Sequence, residues 1–135
     1  MAVRGRELIL LDTHVWIWAF EPNPKLSSLH RKMIEENPNR LAISAASLWE
    51  LSMLVFKGRI ELPVSMERWF EFSTESAGVV VLPLDGPTAK EAYQLPGHFH
   101  DDPADRIIVA SARLYDGILL TEDSKILNYP HVQAQ

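Results

Sequence analysis

Leu8-Ile9-Leu10-Leu11-Asp12 is a run of four apolar residues that ends in a carboxylate. A run that is apolar at every position predicts a strand buried on both faces, since a half-exposed strand would alternate apolar and polar residues. With the preceding glutamate included, this first strand covers residues 7–11. Similar short runs predict further strands at 41–44, 79–82 and 117–120, and more weakly around Val132.

Longer amphipathic segments separate these runs. Their apolar residues recur at helical spacing, and several of them follow a residue that suits the start of a helix. The predicted helix starts are Ser27, Ser65, Asp85 and Asp102-Pro103, and a further apolar stripe begins at Leu48. Strands that alternate with helices in this way predict an α/β fold, in which a parallel sheet is covered by helices on both faces.

Length and composition limit the possible classes of protein. The chain has 135 residues, of which 47% are hydrophobic, enough for one domain over residues 1–135. Its net charge of −5 argues against holding nucleic acid through a basic surface, yet it is compatible with a cation site. The absence of cysteine excludes disulfides and thiolate ligands. The apolar runs are too short for a membrane span, so we expect a cytoplasmic protein without a membrane partner.

Carboxylate side chains stand close to several of the predicted strand ends. Asp12 follows the first strand, Glu50 lies early in the segment after the second, and Asp123 follows the fourth. Asp105 lies in the first turn of the helix that precedes the fourth strand. Ligands of open parallel sheets bind beyond the carboxyl ends of the strands. Four carboxylates at this edge predict a site for a hard divalent cation such as Mg²⁺ or Mn²⁺.

Each of these carboxylates also has a local role that needs no ligand. Asp12 and Asp123 can stand at a strand exit or cap a helix, and Asp105 suits a helix N-terminus through its charge. Glu50 would complete a Ser47-x-x-Glu50 capping box. Local capping does not explain why four carboxylates from four segments should meet at one edge of the sheet.

The four carboxylates lie in four short stretches of the sequence. They are Leu10-Leu11-Asp12-Thr13-His14-Val15-Trp16, Ser44-Ala45-Ala46-Ser47-Leu48-Trp49-Glu50-Leu51 followed by Lys57-Gly58-Arg59-Ile60, His100-Asp101-Asp102-Pro103-Ala104-Asp105-Arg106, and Leu119-Leu120-Thr121-Glu122-Asp123. In order and spacing they resemble the motifs of PIN-domain ribonucleases, and most closely the toxin half of VapBC-type toxin–antitoxin pairs. The resemblance implies a three-layer α/β/α sandwich with a central, mainly parallel sheet of four to five strands.

The resemblance also implies a function, that of a metal-dependent endoribonuclease that hydrolyses RNA phosphodiester bonds as the toxin of a toxin–antitoxin system. Asp12, Glu50, Asp105 and Asp123 match the family's four acidic residues, and they would be catalytic and hold Mg²⁺ or Mn²⁺. The implied partners are an RNA substrate, a small antitoxin protein and a second copy of the chain in a homodimer. The sequence departs from the family at Ala104, where a bulky residue is common, which implies lighter packing at this turn.

Four further residues are expected to support the site. Thr121 is expected to hydrogen-bond one of the ligand carboxylates. Arg106 is expected to contact substrate phosphate, and His14 to lie around the metal. Asp102 is expected to cap its helix, with the possibility of reaching the metal through a water molecule.

Two other functions remain open on the sequence alone. The run His98-x-His100-x-Asp102 resembles the ligand run of a zinc hydrolase, although no further histidine follows it at short spacing. The second is a non-catalytic PIN-like binding module, whose acidic rim would hold a cationic partner without cleaving RNA.

Overall fold

The structure is a computed structural model that describes residues 7–21 and 23–135. Its strands are β1 (Ile9–Leu11), β2 (Leu41–Ser44), β3 (Val80–Leu82) and β4 (Ile118–Leu120). Its helices are α1 (Thr13–Phe20), α2 (Ser28–Glu36), α3 (Ala45–Phe56), α4 (Met66–Ser73), α5 (Gly86–Ala92), α6 (Pro103–Leu114) and α7 (Ser124–Leu127).

The four strands form one sheet in the order β3-β2-β1-β4, and every neighbouring pair is parallel. Ile9 of β1 pairs with Leu41 of β2 on one side and with Ile118 of β4 on the other. Since all the strands run in the same direction, their carboxyl ends lie along one edge of the sheet. The predicted α/β fold with a parallel sheet is confirmed.

Alternate residues of β1 pack into two separate cores. Ile9 and Leu11 belong to the first core, together with side chains of α1, α3 and α4 that include the fully buried Trp16. Leu10 belongs to the second core, with side chains of α6 and α7 that include Ile108. Helices therefore cover both faces of the sheet, as a three-layer α/β/α sandwich requires.

Serine and aspartate caps start several helices at the predicted places. The side chain of Ser27 accepts a hydrogen bond from the backbone N–H three residues later and starts α2. Ser65 and Asp85 do the same for α4 and α5, and Asp102 does so for α6. Each of these side chains satisfies an N–H group that the first helical turn leaves without a partner.

The end of the chain lies against the outer edge of β4. Leu119 forms a parallel bridge with Ala134, and the backbone N–H of Gln135 donates to the carbonyl oxygen of Leu119 at 2.9 Å. Nε2 of the buried His30, in α2, lies 2.7 Å from the carbonyl oxygen of Gln135. The weak strand predicted around Val132 is therefore a single bridge, and the sheet has four strands among the described residues.

The third strand differs from the prediction of a strand buried on both faces. Val80 and Val81 are 52% and 36% exposed, whereas Leu82 is buried. The reason is the position of β3 at the edge of the sheet, where the covering layers end. A run of apolar residues does not distinguish an edge strand from an interior one.

Within residues 7–21 and 23–135, no helix combines the length and the apolar character that crossing a bilayer requires.

Gly117 allows β4 to approach the start of β1. A Cβ atom at this position would lie 3.0 Å from the carbonyl oxygen of Leu8, which accepts the backbone N–H of Ile118 at 3.0 Å. We therefore expect Gly117→Ala to lower the free energy of unfolding by about 1–3 kcal/mol, because two paired strands must move apart. Gly86→Ala is the matched control, since a Cβ there meets nothing within 4 Å. Equal melting temperatures for the two variants would contradict this prediction.

Candidate metal centre

A cavity of about 360 Å³ opens at the carboxyl edge of the sheet. Asp12 directly follows β1, Glu50 lies in α3 after β2, and Asp123 lies three residues beyond β4. Asp105 reaches the same cavity from the first turn of α6. The complete lining is Asp12, His14, Trp18, Glu50, Asp102, Asp105, Glu122 and Asp123. The structure thus brings together the four carboxylates that the sequence singled out, with Asp102 and His14 beside them.

Asp12 is held by hydrogen bonds on both carboxylate oxygens. Oδ1 accepts the backbone N–H of Thr13 at 2.9 Å, so Asp12 also caps α1. Oδ2 accepts the hydroxyl of Thr121 at 2.7 Å. The predicted hydrogen bond of Thr121 to one of these carboxylates is therefore confirmed. Burial raises the pKa of Asp12, while the two hydrogen bonds act in the opposite direction.

Glu50 is oriented by a chain of two hydroxyl groups. The hydroxyl of Thr13 donates to Oε1 of Glu50 at 2.6 Å. The hydroxyl of Ser47 lies 2.8 Å from the Thr13 oxygen and donates to it, because the Thr13 proton is already engaged. Burial raises the pKa of Glu50, and the Thr13 hydroxyl opposes that effect. The predicted capping box is wrong, because α3 begins at Ala45 and Ser44 is its N-cap.

Asp105 lies partly buried among the other carboxylates of the site. Asp102 caps α6 by accepting the backbone N–H of Asp105 at 2.9 Å, which confirms the predicted cap. Burial, followed by the charges of Asp12, Asp102, Asp123 and Glu50, raises the pKa of Asp105 to about 8. A positive charge added to the cavity would therefore favour the ionised form of Asp105.

Asp123 and Asp105 share their surroundings with a histidine. One ligand atom from each of His100, Asp105 and Asp123 lies within 4.8 Å of the other two. Asp123 caps α7 through the backbone N–H of Lys125, and its own N–H donates to the hydroxyl of Thr121 at 3.0 Å. Sequence reasoning did not place His100 with these carboxylates, because the order of residues does not reveal that the loop before α6 folds back over Asp105.

The zinc-hydrolase hypothesis grouped different residues. His98 is exposed and lies outside the ligand group found among residues 7–21 and 23–135, while the Asp102 carboxylate is engaged in capping α6. Of that run, His100 alone contributes to this group. The structure therefore does not support His98, His100 and Asp102 as a set of zinc ligands.

Arg106 is held by three backbone carbonyl groups, and its contact with substrate phosphate stays a prediction. Its Nε donates to the carbonyl oxygen of Ala92 at 2.8 Å. Its Nη1 donates to the carbonyl oxygens of Phe99 and His100 at 2.9 and 3.0 Å. The guanidinium also lies 5.0 Å from the ring centroid of Tyr93. These contacts fix the loop before α6, and Arg106 is not among the residues that line the cavity.

The fold and the site together define a class of α/β proteins. In this class a parallel sheet lies between two layers of helices, and an acidic site lies beyond the carboxyl ends of the strands. Within that class, the model of the PIN domain matches residues 9–132, so the chain belongs to the PIN-domain family. Ribonuclease VapC22 of Mycobacterium tuberculosis (strain ATCC 25618 / H37Rv) is 32% identical to it over 123 residues, which cover 91% of this chain and 92% of the relative.

Solved structures are similar to this chain over nearly its whole length. DNA-bound VapBC from Salmonella typhimurium matches with a TM-score of 0.69 and 20% identity, covering 96% of this chain and 97% of that one. A toxin–antitoxin complex from Klebsiella pneumoniae matches with a TM-score of 0.67 and 20% identity, covering 92% and 94%. These similarities confirm the PIN-like fold.

The raised pKa of Asp105 makes the stability of the metal-free protein depend on pH. Between the pKa of about 4 in the unfolded chain and about 8 in the folded one, the folded state binds more protons, so stability falls as pH rises. We expect Asp105→Asn to flatten this decline and to raise the melting temperature at pH 8.5 by about 3–5 °C, on the order of 1 kcal/mol after allowance for solvent screening.

The measurement is thermal unfolding in EDTA at pH 5.5 and 8.5. Asp101→Asn is the matched control, since it removes a neighbouring charge that is exposed and outside the cavity lining. A pH profile of Asp105→Asn that is parallel to that of the unaltered protein would show that repulsion at Asp105 is not the cause.

Proposed function

We propose that this protein is a metal-dependent endoribonuclease and acts as the toxin of a toxin–antitoxin pair. The observation that carries the proposal is the convergence of Asp12, Glu50, Asp105 and Asp123 in one cavity. Membership of the PIN-domain family and 32% identity to a protein named ribonuclease VapC22 support RNA as the substrate. The reaction is hydrolysis of an internal phosphodiester bond.

The donor atoms in the cavity fit Mg²⁺ or Mn²⁺, which bind carboxylate oxygens and retain water. Burial and the charges of the neighbouring carboxylates raise the pKa of Asp105 to about 8, and a divalent cation would offset both effects. Asp12 and Asp105 would hold the cation, with Glu50 and Asp123 completing the site. When bound, the cation supplies positive charge for the phosphoryl oxygens and lowers the pKa of water.

The protein's own groups orient the carboxylates and accept a proton. The hydroxyls of Thr13 and Thr121 fix Glu50 and Asp12 in the orientation seen here. Burial makes Glu50 more basic than an ordinary carboxylate. Since its Oε1 accepts Thr13, we assign Oε2 as the atom that takes a proton from the attacking water. The water oxygen bonds to phosphorus, one P–O bond to ribose breaks, and the leaving oxygen is protonated from solvent.

The test compares purified variants on a pool of total cellular RNA. We expect Asp12→Asn and Asp105→Asn to reduce metal-dependent cleavage by about 100-fold or more, because each removes a charge that the cation needs. EDTA should abolish cleavage by the unaltered protein, and added Mg²⁺ or Mn²⁺ should restore it. Mapping of the new 5′ ends would identify the cleaved sites, with Asp101→Asn as the control that stays active.

Two results would count against this function. Cleavage that persists in Asp12→Asn, in Asp105→Asn and in EDTA would overturn the mechanism. Binding of a cationic partner without cleavage of any RNA would favour the alternative, a non-catalytic binding module. Its acidic cavity would then serve as a docking site.

We further propose a small antitoxin that brings basic residues to this cavity. The charge of the lining supports the proposal, as Asp12, Glu50, Asp105 and Asp123 carry four of the chain's five net negative charges. The toxin–antitoxin neighbour from Klebsiella pneumoniae has the same fold. We propose in addition that residues 1–135 form a single domain. We also propose that the protein is located in the cytoplasm, where RNA and the antitoxin are made.

We also propose a homodimer formed through an apolar hollow beside the acidic cavity. The hollow measures about 320 Å³ and is lined by Ala45, Ala46, Trp49, Leu84, Pro103, Ala104 and Ile107. Trp49 and Leu84 are 61% and 51% exposed and line the same hollow, so they form one uncovered apolar surface. The small side chain of Ala104 leaves this space open, as its departure from the family pattern implied.

Truncation of the exposed tryptophan tests the dimer. We expect Trp49→Ser to weaken self-association by about 10-fold or more, because aromatic anchors dominate protein interfaces. Light scattering coupled to size exclusion would report the mass over a range of concentrations. Phe72→Ser is the matched control, since Phe72 is 51% exposed but lies in α4 outside the hollow. An unchanged mass for Trp49→Ser, or an equal loss in the control, would contradict the assignment.

A further inference from the structure

His100 lies against the acidic cavity although no step proposed above uses it. Its Nε2 is 3.1 Å from Oδ2 of Asp105, and a carboxylate oxygen of Asp123 lies within 4.8 Å. The Nε2 atom is buried and makes no aligned hydrogen bond within the described part of the chain. A buried nitrogen that contacts a carboxylate without a good hydrogen bond is costly, unless another group occupies the space that it faces.

The surroundings of His100 hold its ring in place before any ligand arrives. The guanidinium of Arg106 binds the carbonyl oxygens of Phe99 and His100. The Phe99 ring is buried, 4.4 Å from the His100 ring and 4.9 Å from that of Tyr129. Arg106 lies next to Asp105, so one helical turn positions both the imidazole and the carboxylate. Preorganised side chains of this kind are what a specific site requires.

The other ring nitrogen leaves Nε2 able to bind a cation. Nδ1 of His100 accepts the backbone N–H of Asp102 at 3.4 Å. That distance is at the outer limit of a hydrogen bond, so the bond is weak. A cation at Nε2 would displace the ring proton from Nε2 to Nδ1, at the cost of this weak bond.

We propose that His100 is a nitrogen ligand of the metal site, beside Asp105 and Asp123, and that it makes the site select Mn²⁺ over Mg²⁺. An imidazole nitrogen suits first-row transition ions, whereas Mg²⁺ prefers a shell of oxygen atoms. This inference rests on the proposed metal-dependent function, and it identifies which of the two candidate ions the site prefers.

The experiment measures metal binding by the full chain without RNA. Electron paramagnetic resonance of Mn²⁺ reports the fraction bound, and its pulsed form detects a directly bonded ¹⁴N nucleus. We expect ¹⁴N coupling in the unaltered protein and none in His100→Asn. The dissociation constant for Mn²⁺ should rise about 10-fold or more in that variant. Calorimetry should show a change below about 3-fold for Mg²⁺, which gains little from nitrogen.

His98→Asn is the matched control, because His98 lies in the same loop but is exposed and outside both the cavity lining and the ligand group. It should keep both the ¹⁴N coupling and the selectivity for Mn²⁺. If His100→Asn does not fold, ¹⁵N-histidine labelling of the His14→Asn and His98→Asn proteins gives the same answer. A change from ¹⁴N to ¹⁵N coupling in both labelled proteins would support His100 as the source.

The possible results distinguish a failure of this inference from a failure of the proposed function. Mn²⁺ binding without ¹⁴N coupling, or equal weakening of Mn²⁺ and Mg²⁺ in His100→Asn, would show that His100 only positions Asp105. RNA cleavage could still proceed in that case. Coupling to ¹⁴N with no RNA cleavage would support the ligand and contradict the nuclease. A chain that binds neither ion would overturn both.

Discussion

Parallel pairing of β1 with both β2 and β4 is the constraint on which the site depends. It brings three strand ends to one edge of the sheet, so that residues far apart in sequence approach each other before any ligand is present. The side chains brought there are acidic, and their repulsion opposes the packing that assembles them. Burial of the two apolar cores supplies the opposing free energy, and hydroxyl groups hold the charged side chains in place.

Most of the fold was predictable from the sequence because the interior strands β1 and β2 are apolar at every position except Ser44. The run at 41–44 gave the bounds of β2, and the caps at Ser27, Ser65 and Asp102 gave helix starts. The exposure of Val80 could not be predicted, because it depends on the order of the strands in the sheet. Short sequence patterns do not determine that order. The bridge between Ala134 and Leu119 was hard to predict, because it is formed by backbone groups and does not depend on a pattern of apolar side chains.

The carboxylates of the candidate site were predictable from their places after strands, and the hydroxyl of Thr121 from its place beside them. The roles of Thr13 and His100 were not, because they arise from contacts across the fold: the hydroxyl of Thr13 reaches Glu50, 37 residues away. The adjacency of Thr13 to Asp12 was the available signal. The backbone contacts of Arg106 were not predictable either, since its proximity to Asp105 in sequence does not determine the direction of its side chain.

The bridge along β4 has a consequence for the behaviour of the chain at high concentration. Ile118, Leu119 and Leu120 are buried, and an uncovered strand of such residues would offer its N–H and C=O groups to other molecules. Residues 133–135 occupy those groups, and Gln135 also accepts the backbone N–H of Thr121. Residues 133–135 thus cover the edge of β4 that would otherwise be open to pairing with a strand of another molecule.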